Sequence, residues 1–274
     1  MSEYIKVCEE AARAGGAILL DRIGQVEVYE KGPADLVTEA DLASQDAIRR
    51  IILEAFPDHG VLGEEDDPQA PADPDPPEFR WLVDPLDGTT NYVHRVPHYS
   101  VSVALERLGE LLAATVYDPV SGECFTATAG GGAFLGGQKR GQKRGQKRGQ
   151  KLQTSRVATL SESLAAVGFP PNVQLDSPDL KVFLKAVTQC QAIRRTGSAA
   201  LNLCYVAAGR FDLAWSFSTR IWDVAAGVLL IREAGGVVTS LDGGDLVLDD
   251  GCLLAAANEP LLMQLRGLVA QAGL

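Results

Sequence analysis

Residues 81–94 read WLVDPLDGTTNYVH, an apolar run that ends in two carboxylates, a proline, a glycine and two threonines. Asp84 and Asp87 stand three apart, Pro85 fixes the backbone between them, and Leu86 can offer only its carbonyl. Hard cations such as Mg2+ take oxygen ligands, and two carboxylates with an intervening carbonyl suit two ions that share one carboxylate. Gly88 lets the backbone approach a ligand closely. The amides of Gly88, Thr89 and Thr90 form an anion seat if they open a helix. Metal ligands and a phosphate seat on one turn are the parts of a phosphoryl-transfer site. Taken alone, the same residues also read as an Asx-type turn whose aspartates cap a short helix.

Other acidic residues bear on that choice. GEED at 63–66 follows the strand-like FPDHGVL and supplies Glu64 and Glu65 as hard ligands; on its own it is an acidic surface turn. IWDVAAGVLLIREAGG places Asp223 at the start of an apolar helix, where a cap is the plain reading, although a capping carboxylate keeps an oxygen for a metal. Thr38-x-x-Asp41 has the spacing of a capping box opening a helix. A DxDxT phosphatase motif has its aspartates two apart, which does not fit the spacing of three seen here.

The combination of GEE, DPLDGTTN and WDVAAG, in that order, with KGPADLVTEAD before and GSAALNLCYVAAG between, resembles the inositol monophosphatase family over nearly the whole chain. Members are magnesium-dependent, lithium-sensitive phosphomonoesterases. The resemblance implies a layered α-β-α-β-α sandwich, of the type shared with fructose-1,6-bisphosphatase, and commonly a homodimer. It implies two or three Mg2+ ions, with Glu64, Asp84 and the Leu86 carbonyl on the first and Asp84, Asp87 and Asp223 on the second. Glu64 and waters would hold a weaker third. Thr89, hydrogen-bonded to Asp41, would orient a metal-activated water for in-line attack, and the backbone of Gly88, Thr89 and Thr90 would hold the phosphate. Gly197, Ser198 and Ala199 match the segment that meets the sugar-alcohol ring.

Two features bear on substrate. Family branches acting on adenosine bisphosphates usually have Lys after the first Thr of this motif, where this chain has Thr90. Seven residues before Asp223, inositol phosphatases commonly place a Glu that accepts ring hydroxyls; Ser216 stands here and lacks the charge-assisted strength of a carboxylate. Arg220 is either a surface residue or a contact for an anionic or differently shaped substrate. The leading expectation is hydrolysis of a small polyol phosphate, foremost inositol 1-phosphate, with histidinol phosphate and fructose 1,6-bisphosphate as alternatives.

The elements that must position these residues show in the periodicity. Ile5, Cys8, Ala12, Gly15 and Leu19 predict a first amphipathic helix, and Leu42, Ile48, Ile52 and Ala55 a second over about 38–56, stopped by Pro57. Apolar runs at 99–106, 111–117 and 123–128 with short turns predict an antiparallel meander. Beyond residue 152, strand-like LAAVGF, AIRRT, DLAWS and GVVTSL alternate with helical stretches at about 178–191, 198–209 and 222–234, and a last helix starts near Glu259. The expected organisation is an α+β half over 1–135, a flexible basic loop over 136–151, and an α/β half over 152–274.

That loop is the tandem repeat GQKRGQKRGQKRGQK. It carries seven of the chain's 25 Lys and Arg residues; the net charge is −11, and −18 without those seven. A glycine every fourth residue with no apolar position buries no face, so the repeat reads as a solvated, expanded loop, or else as a basic arm in an RNA-associated protein. The overall acidity makes nucleic acid a poor general partner. Five scattered cysteines, never CxxC, suit reduced thiols. Acids and Arg13 among the first apolar residues do not match a signal peptide or a spanning stretch, so the expected location is the cytoplasm.

Overall fold

The computed structural model describes residues 2–32, 35–67, 77–137 and 149–274. Helix α1 (Ser2–Arg22) leads through the hairpin β1 (Val28–Gly32) and β2 (Asp35–Thr38) to α2 (Glu39–Ala55). Strands β3 (Gly60–Gly63) and β4 (Phe79–Asp87) precede the one-turn helix α3 (Thr89–Val93). The meander follows as β5 (Ser100–Arg107), β6 (Glu110–Tyr117), β7 (Glu123–Thr128), β8 (Gly132–Gly137) and β9 (Gln150–Lys151). Together β3 to β9 form a seven-stranded sheet in sequential order, antiparallel except for the parallel pair β3 and β4.

The rest of the chain alternates as β10 (Leu164–Val167), α4 (Pro178–Ala186), β11 (Ala192–Arg194), α5 (Ala199–Ala207), β12 (Leu213–Ser216) and α6 (Ile221–Glu233), then β13 (Val237–Thr239), β14 (Leu253–Ala256) and α7 (Glu259–Gln271). Its five strands run in the order β11-β10-β12-β14-β13. The first three are parallel, but β14 is antiparallel to both its neighbours, so the sheet is mixed. The antiparallel β14 follows loop residues 240–252, whose weak apolar pattern gives no sign of a strand to come.

Three apolar clusters set the layers. One packs α1 and α2 on the face of the large sheet lined by Trp81, Val83, Val101, Val103 and Leu105. A second joins the opposite face, through Leu82, Ala114, Val116 and Phe125, to α5, α6 and the smaller sheet. The third packs α4 and α7 on the far face of the smaller sheet, around Val167, Leu213, Trp215 and Leu254. The result is the expected α-β-α-β-α sandwich. Its middle layer is apolar on nearly every side: in α6, the run from Val224 to Ile231 is buried, which fits a helix between two sheets.

The first helix buries Cys8, Ala12, Gly15 and Leu19 of the stripe its spacing predicts, with Ile5 half-buried beside them. The second corrects its stripe, because Leu42 and Ala55 are exposed and the buried face runs through Asp41, Ser44, Gln45, Ile48 and Ile52. Polar residues lie on that face because α2 packs beside the turns that carry the acidic motifs. Of the segment 136–151, residues 138–148 lie outside the described residues; its ends are strand, with Leu135 paired to Gln150 and Phe134 to Lys151. No helix among the described residues is long and apolar enough to cross a membrane.

Candidate active site

Strand β4 is the organiser of the site. Its apolar run does not stop at Asp84: the strand continues to Asp87, with a register break against β5 between the two aspartates. Pro85 and Leu86 occupy that irregularity, as expected of a proline that cannot donate to a ladder. The Leu86 amide donates to Asp84 Oδ1 (3.0 Å), and the Pro85 carbonyl accepts from Ser44 Oγ on α2 (3.0 Å). Gly88 then turns with φ +99°, and a Cβ there would stand 3.1 Å from Gly197 O and 3.2 Å from His98 O. Only glycine satisfies both demands.

Neighbouring elements bring in the other acids. Because β3 runs parallel to β4, with Gly63 opposite Val83, Glu64 emerges beside Asp84; its amide donates to Val83 O (3.1 Å). The GEED turn is clamped to α2 by Asp66, which accepts from Gly63 N and Gln45 Nε2 (both 2.9 Å) and pairs with Arg49. Ser102, opposite Asp84 on β5, donates to Trp222 O (3.2 Å), so the start of α6 and Asp223 sit against the same strand. Asp223 caps its helix with one oxygen, Oδ2, which accepts from Arg220 N (2.8 Å).

Asp87 is held more fully. Its Oδ2 accepts from Ser100 Oγ (3.2 Å), Ser198 Oγ and Ala200 N (2.9 Å), and its Oδ1 from Ala199 N (3.0 Å). Ser198 and Ala199, expected at the sugar-alcohol ring, therefore anchor the start of α5 onto Asp87. Asn91 ties the same junction, donating from Nδ2 to His98 O (2.7 Å) and Thr196 O (2.9 Å). Ser100, Ser102 and Asn91 did not figure among the expected site residues. The alternation of Ser and Val in YSVSV is the signal that could have found the two serines, since residues two apart share a face.

The electrostatics of these carboxylates have one sign. Asp84 is 2% exposed, and burial, then Glu64, Asp87 and Asp223, lift its pKa well above the carboxylate range. Burial and then Glu64 do the same to Asp223. Burial also raises Asp87, opposed by the hydrogen bonds from Ser198, Ala199, Ala200 and Ser100. Like charges drawn together in a poorly solvated place disfavour ionisation unless a cation joins them. Among the described residues, no three His, Cys, Asp or Glu side chains are closed up into a ready metal cluster. The donor set, all carboxylate oxygen with one free carbonyl lone pair at Leu86, is nevertheless of the kind hard divalent cations take.

Beside this cluster lies the Thr89–Asp41 pair. Thr89 Oγ1 is 3.1 Å from Leu86 O and 3.4 Å from Asp41 Oδ1. Asp41 Oδ2 accepts from Thr38 N (2.9 Å) and Thr38 Oγ1 (2.6 Å), so the capping box of α2 is present and the other oxygen faces Thr89. Thr90 is exposed on α3, and Ser216 ends β12 with its hydroxyl buried.

The site thus joins Asp84 and Asp87, buried on a bulged strand, to the half-buried Glu64 and Asp223 of neighbouring elements, with the Thr89–Asp41 pair one turn away. The model of the inositol monophosphatase family matches residues 1–272. The chain belongs to the inositol monophosphatase family. It is 39% identical over 272 residues to the inositol-1-monophosphatase of Rhizobium meliloti, covering 98% of this chain and 96% of that one. It is 38% identical to the Nus factor SuhB of Pseudomonas aeruginosa, covering 93% and 92%. The crystal structure of the extragenic suppressor protein suhB from Bartonella henselae superposes with a TM-score of 0.85 at 34% identity, over 97% of this chain and 98% of that one. Family membership makes this protein a phosphatase-type hydrolase with the layered fold described above.

Proposed function

We propose that this member of the family is a Mg2+-dependent phosphomonoesterase acting on a small polyol phosphate, foremost inositol 1-phosphate. The observation that carries the reading is the mutually repelling cluster of Glu64, Asp84, Asp87 and Asp223 beside Thr89 and Asp41. Glu64, Asp84, Asp87, Asp223 and the Leu86 carbonyl would hold the Mg2+ ions. Bound there, Mg2+ would neutralise phosphate charge, lower the pKa of water and stabilise the departing alkoxide.

The chain's own groups do the rest. The Gly88 turn and the amides opening α3 orient the phosphate, while Asp41 accepts the Thr89 hydroxyl proton as a hydrogen bond. That leaves a lone pair of Thr89 Oγ1 to accept a hydrogen bond from a water, whose own lone pair then faces phosphorus. Water adds to phosphorus, the P–O bond to the alcohol breaks, and the alcohol leaves with a proton. Phosphate release should appear with Mg2+ and vanish with chelator in a panel of inositol 1-phosphate, histidinol phosphate, fructose 1,6-bisphosphate and adenosine 3′,5′-bisphosphate. Preference for inositol 1-phosphate supports the reading, and release from none of them removes it. A homodimer, a cytoplasmic location and lithium inhibition belong to the same reading.

A second reading rests on the seven cations of 139–151 and on the name Nus factor SuhB carried by a relative. In it, the basic repeat binds RNA. Salt-sensitive RNA binding lost on removing residues 138–149 would support it, and binding unchanged by that removal would exclude the repeat.

A further inference from the structure

Two carboxylates three apart on an unbroken strand would point to opposite faces of its sheet. Asp84 and Asp87 share one face, because Asp84 stands opposite Ser102 and Asp87 opposite Ser100, so that Pro85 and Leu86 together meet only Val101. The extra residue is a bulge, which shifts the alternation by one. Both serines turn toward the site: Ser102 Oγ donates to Trp222 O at the start of α6, and Ser100 Oγ to Asp87. Val101, Val103 and the Leu86 side chain turn the other way, into the cluster of α1 and α2. The convergence of the two aspartates therefore depends on one bulge keeping its shape.

A bulge takes backbone groups out of the ladder, and in a buried place they need other partners. Pro85 brings no N–H. The Pro85–Leu86 peptide is a rigid plane that carries the Pro85 carbonyl on one edge and the Leu86 amide on the other. The amide donates to Asp84 Oδ1 (3.0 Å) and the carbonyl accepts from Ser44 Oγ of α2 (3.0 Å), so the plane is held at both edges. The next carbonyl, Leu86 O, is left to accept from Thr89 Oγ1 (3.1 Å). Ser44 is fully buried and reaches the bulge from α2, on the side away from Ser100 and Ser102. Helix α1 confines it there: a Cβ at Gly15 would stand 2.6 Å from Ser44 Oγ and 2.9 Å from Ile48 Cδ1.

We infer that Ser44 is a positioning residue of the carboxylate site: it fixes the Pro85–Leu86 peptide plane and, through it, the Asp84 carboxylate, while Gly15 lets α1 pack against the hydroxyl. This rests on the metal-dependent reading of Asp84 and adds to it a residue that touches neither ion nor substrate. Partners that orient the ligands of a metal typically carry about 10- to 100-fold of its affinity.

Mg2+ binding to the full chain is measured by titration calorimetry without substrate, beside kcat and the Mg2+ half-saturation for inositol 1-phosphate. Ser44→Ala should weaken Mg2+ binding and raise the half-saturation by about tenfold, the low end for such a partner. Its kcat at saturating Mg2+ should stay within about threefold of wild type, since every ligand remains. Ser44→Cys, which keeps a weak donor, should fall between. Gly15→Ala should also weaken binding by displacing the hydroxyl, and in the double variant the two losses should not add. A Ser44→Ala protein that melts lower but binds Mg2+ as tightly as wild type would overturn the inference and leave only a packing role. If that variant does not fold, unchanged Mg2+ affinity in Ser44→Cys and Gly15→Ala would do the same. Calorimetry decides this even where wild type hydrolyses no ester, and a wild type that binds no Mg2+ overturns both readings.

Discussion

At the scale of single residues, the site is a set of carboxylates that the fold holds against their preference. Asp84, Asp87 and Asp223 all have pKa values raised by burial, with Glu64 a further cause for Asp84 and Asp223. An acid whose pKa is higher folded than unfolded favours the folded state at low pH, and that contribution is lost as pH rises through the folded value. The metal-free protein should therefore melt at a lower temperature at pH 8 than at pH 5. Added Mg2+ should raise the melting temperature most at pH 8, where the carboxylates it joins are otherwise ionised and unshielded. Scanning calorimetry at the two pH values with Mg2+ or chelator checks this, and a Mg2+ effect that is equal or larger at pH 5 would contradict it. The proposed ligands were legible through the family resemblance that DPLDGTTN, GEE and WDVAAG carry together, since each motif alone also reads as a turn or a helix cap. Their supporting serines were not, since Ser100 and Ser102 acquire meaning only when β5 pairs with β4.

At the scale of elements, the pattern of apolar residues found α1, the meander and the alternating second half, because those elements bury apolar side chains on one face or, as in β5 and α6, on nearly every side. It misjudged α2, whose buried face carries Asp41, Ser44 and Gln45 in place of Leu42; service to the site overrides the apolar pattern there. It also missed β14, a four-residue strand after an irregular loop. Helix α4 shows how one buried acid can tie an element down. Asp179, in its first turn, is 1% exposed and accepts from Phe217 N (3.0 Å), docking the helix on the end of β12. Burial raises its pKa to about 6. Its ionisation therefore costs stability as pH climbs from the ordinary carboxylate range through about 6. Asp179→Asn keeps an acceptor for Phe217 N without the charge. Relative to wild type it should gain on the order of 2 kcal/mol between pH 4 and pH 7 in urea unfolding. A constant difference across that range would show that the carboxylate does not titrate there.

At the scale of the whole molecule, the two sheets and their helices bring four separate stretches of chain to one place: Asp41, Glu64 with residues 84–89, Ser198 to Ala200, and Arg220 to Asp223. The sequence order showed those stretches but not their contact, which depends on the apolar layer of α5 and α6 seating between the sheets. Most of the basic repeat, residues 138–148, lies outside the described residues. With Leu135 paired to Gln150, removing residues 138–149 leaves Gly136 and Gly137 as a two-residue hairpin loop, a length and composition that suit a primed turn. That variant should melt within a few degrees of wild type and turn over substrate within about twofold, because a polar repeat with a glycine every fourth residue offers no apolar face to bury. A large loss of either would mean that the repeat packs on the body. The central claim, that the carboxylates on the β4 bulge carry metal-dependent phosphoester hydrolysis, is tested most directly by one comparison. Phosphate release from inositol 1-phosphate at saturating Mg2+ is measured for wild type and Asp84→Asn, with circular dichroism to confirm folding. The account predicts a folded variant whose turnover falls at least about 10²-fold, on the scale of losing one fixed electrostatic contact in a transition state. A folded Asp84→Asn with near-normal turnover would contradict it.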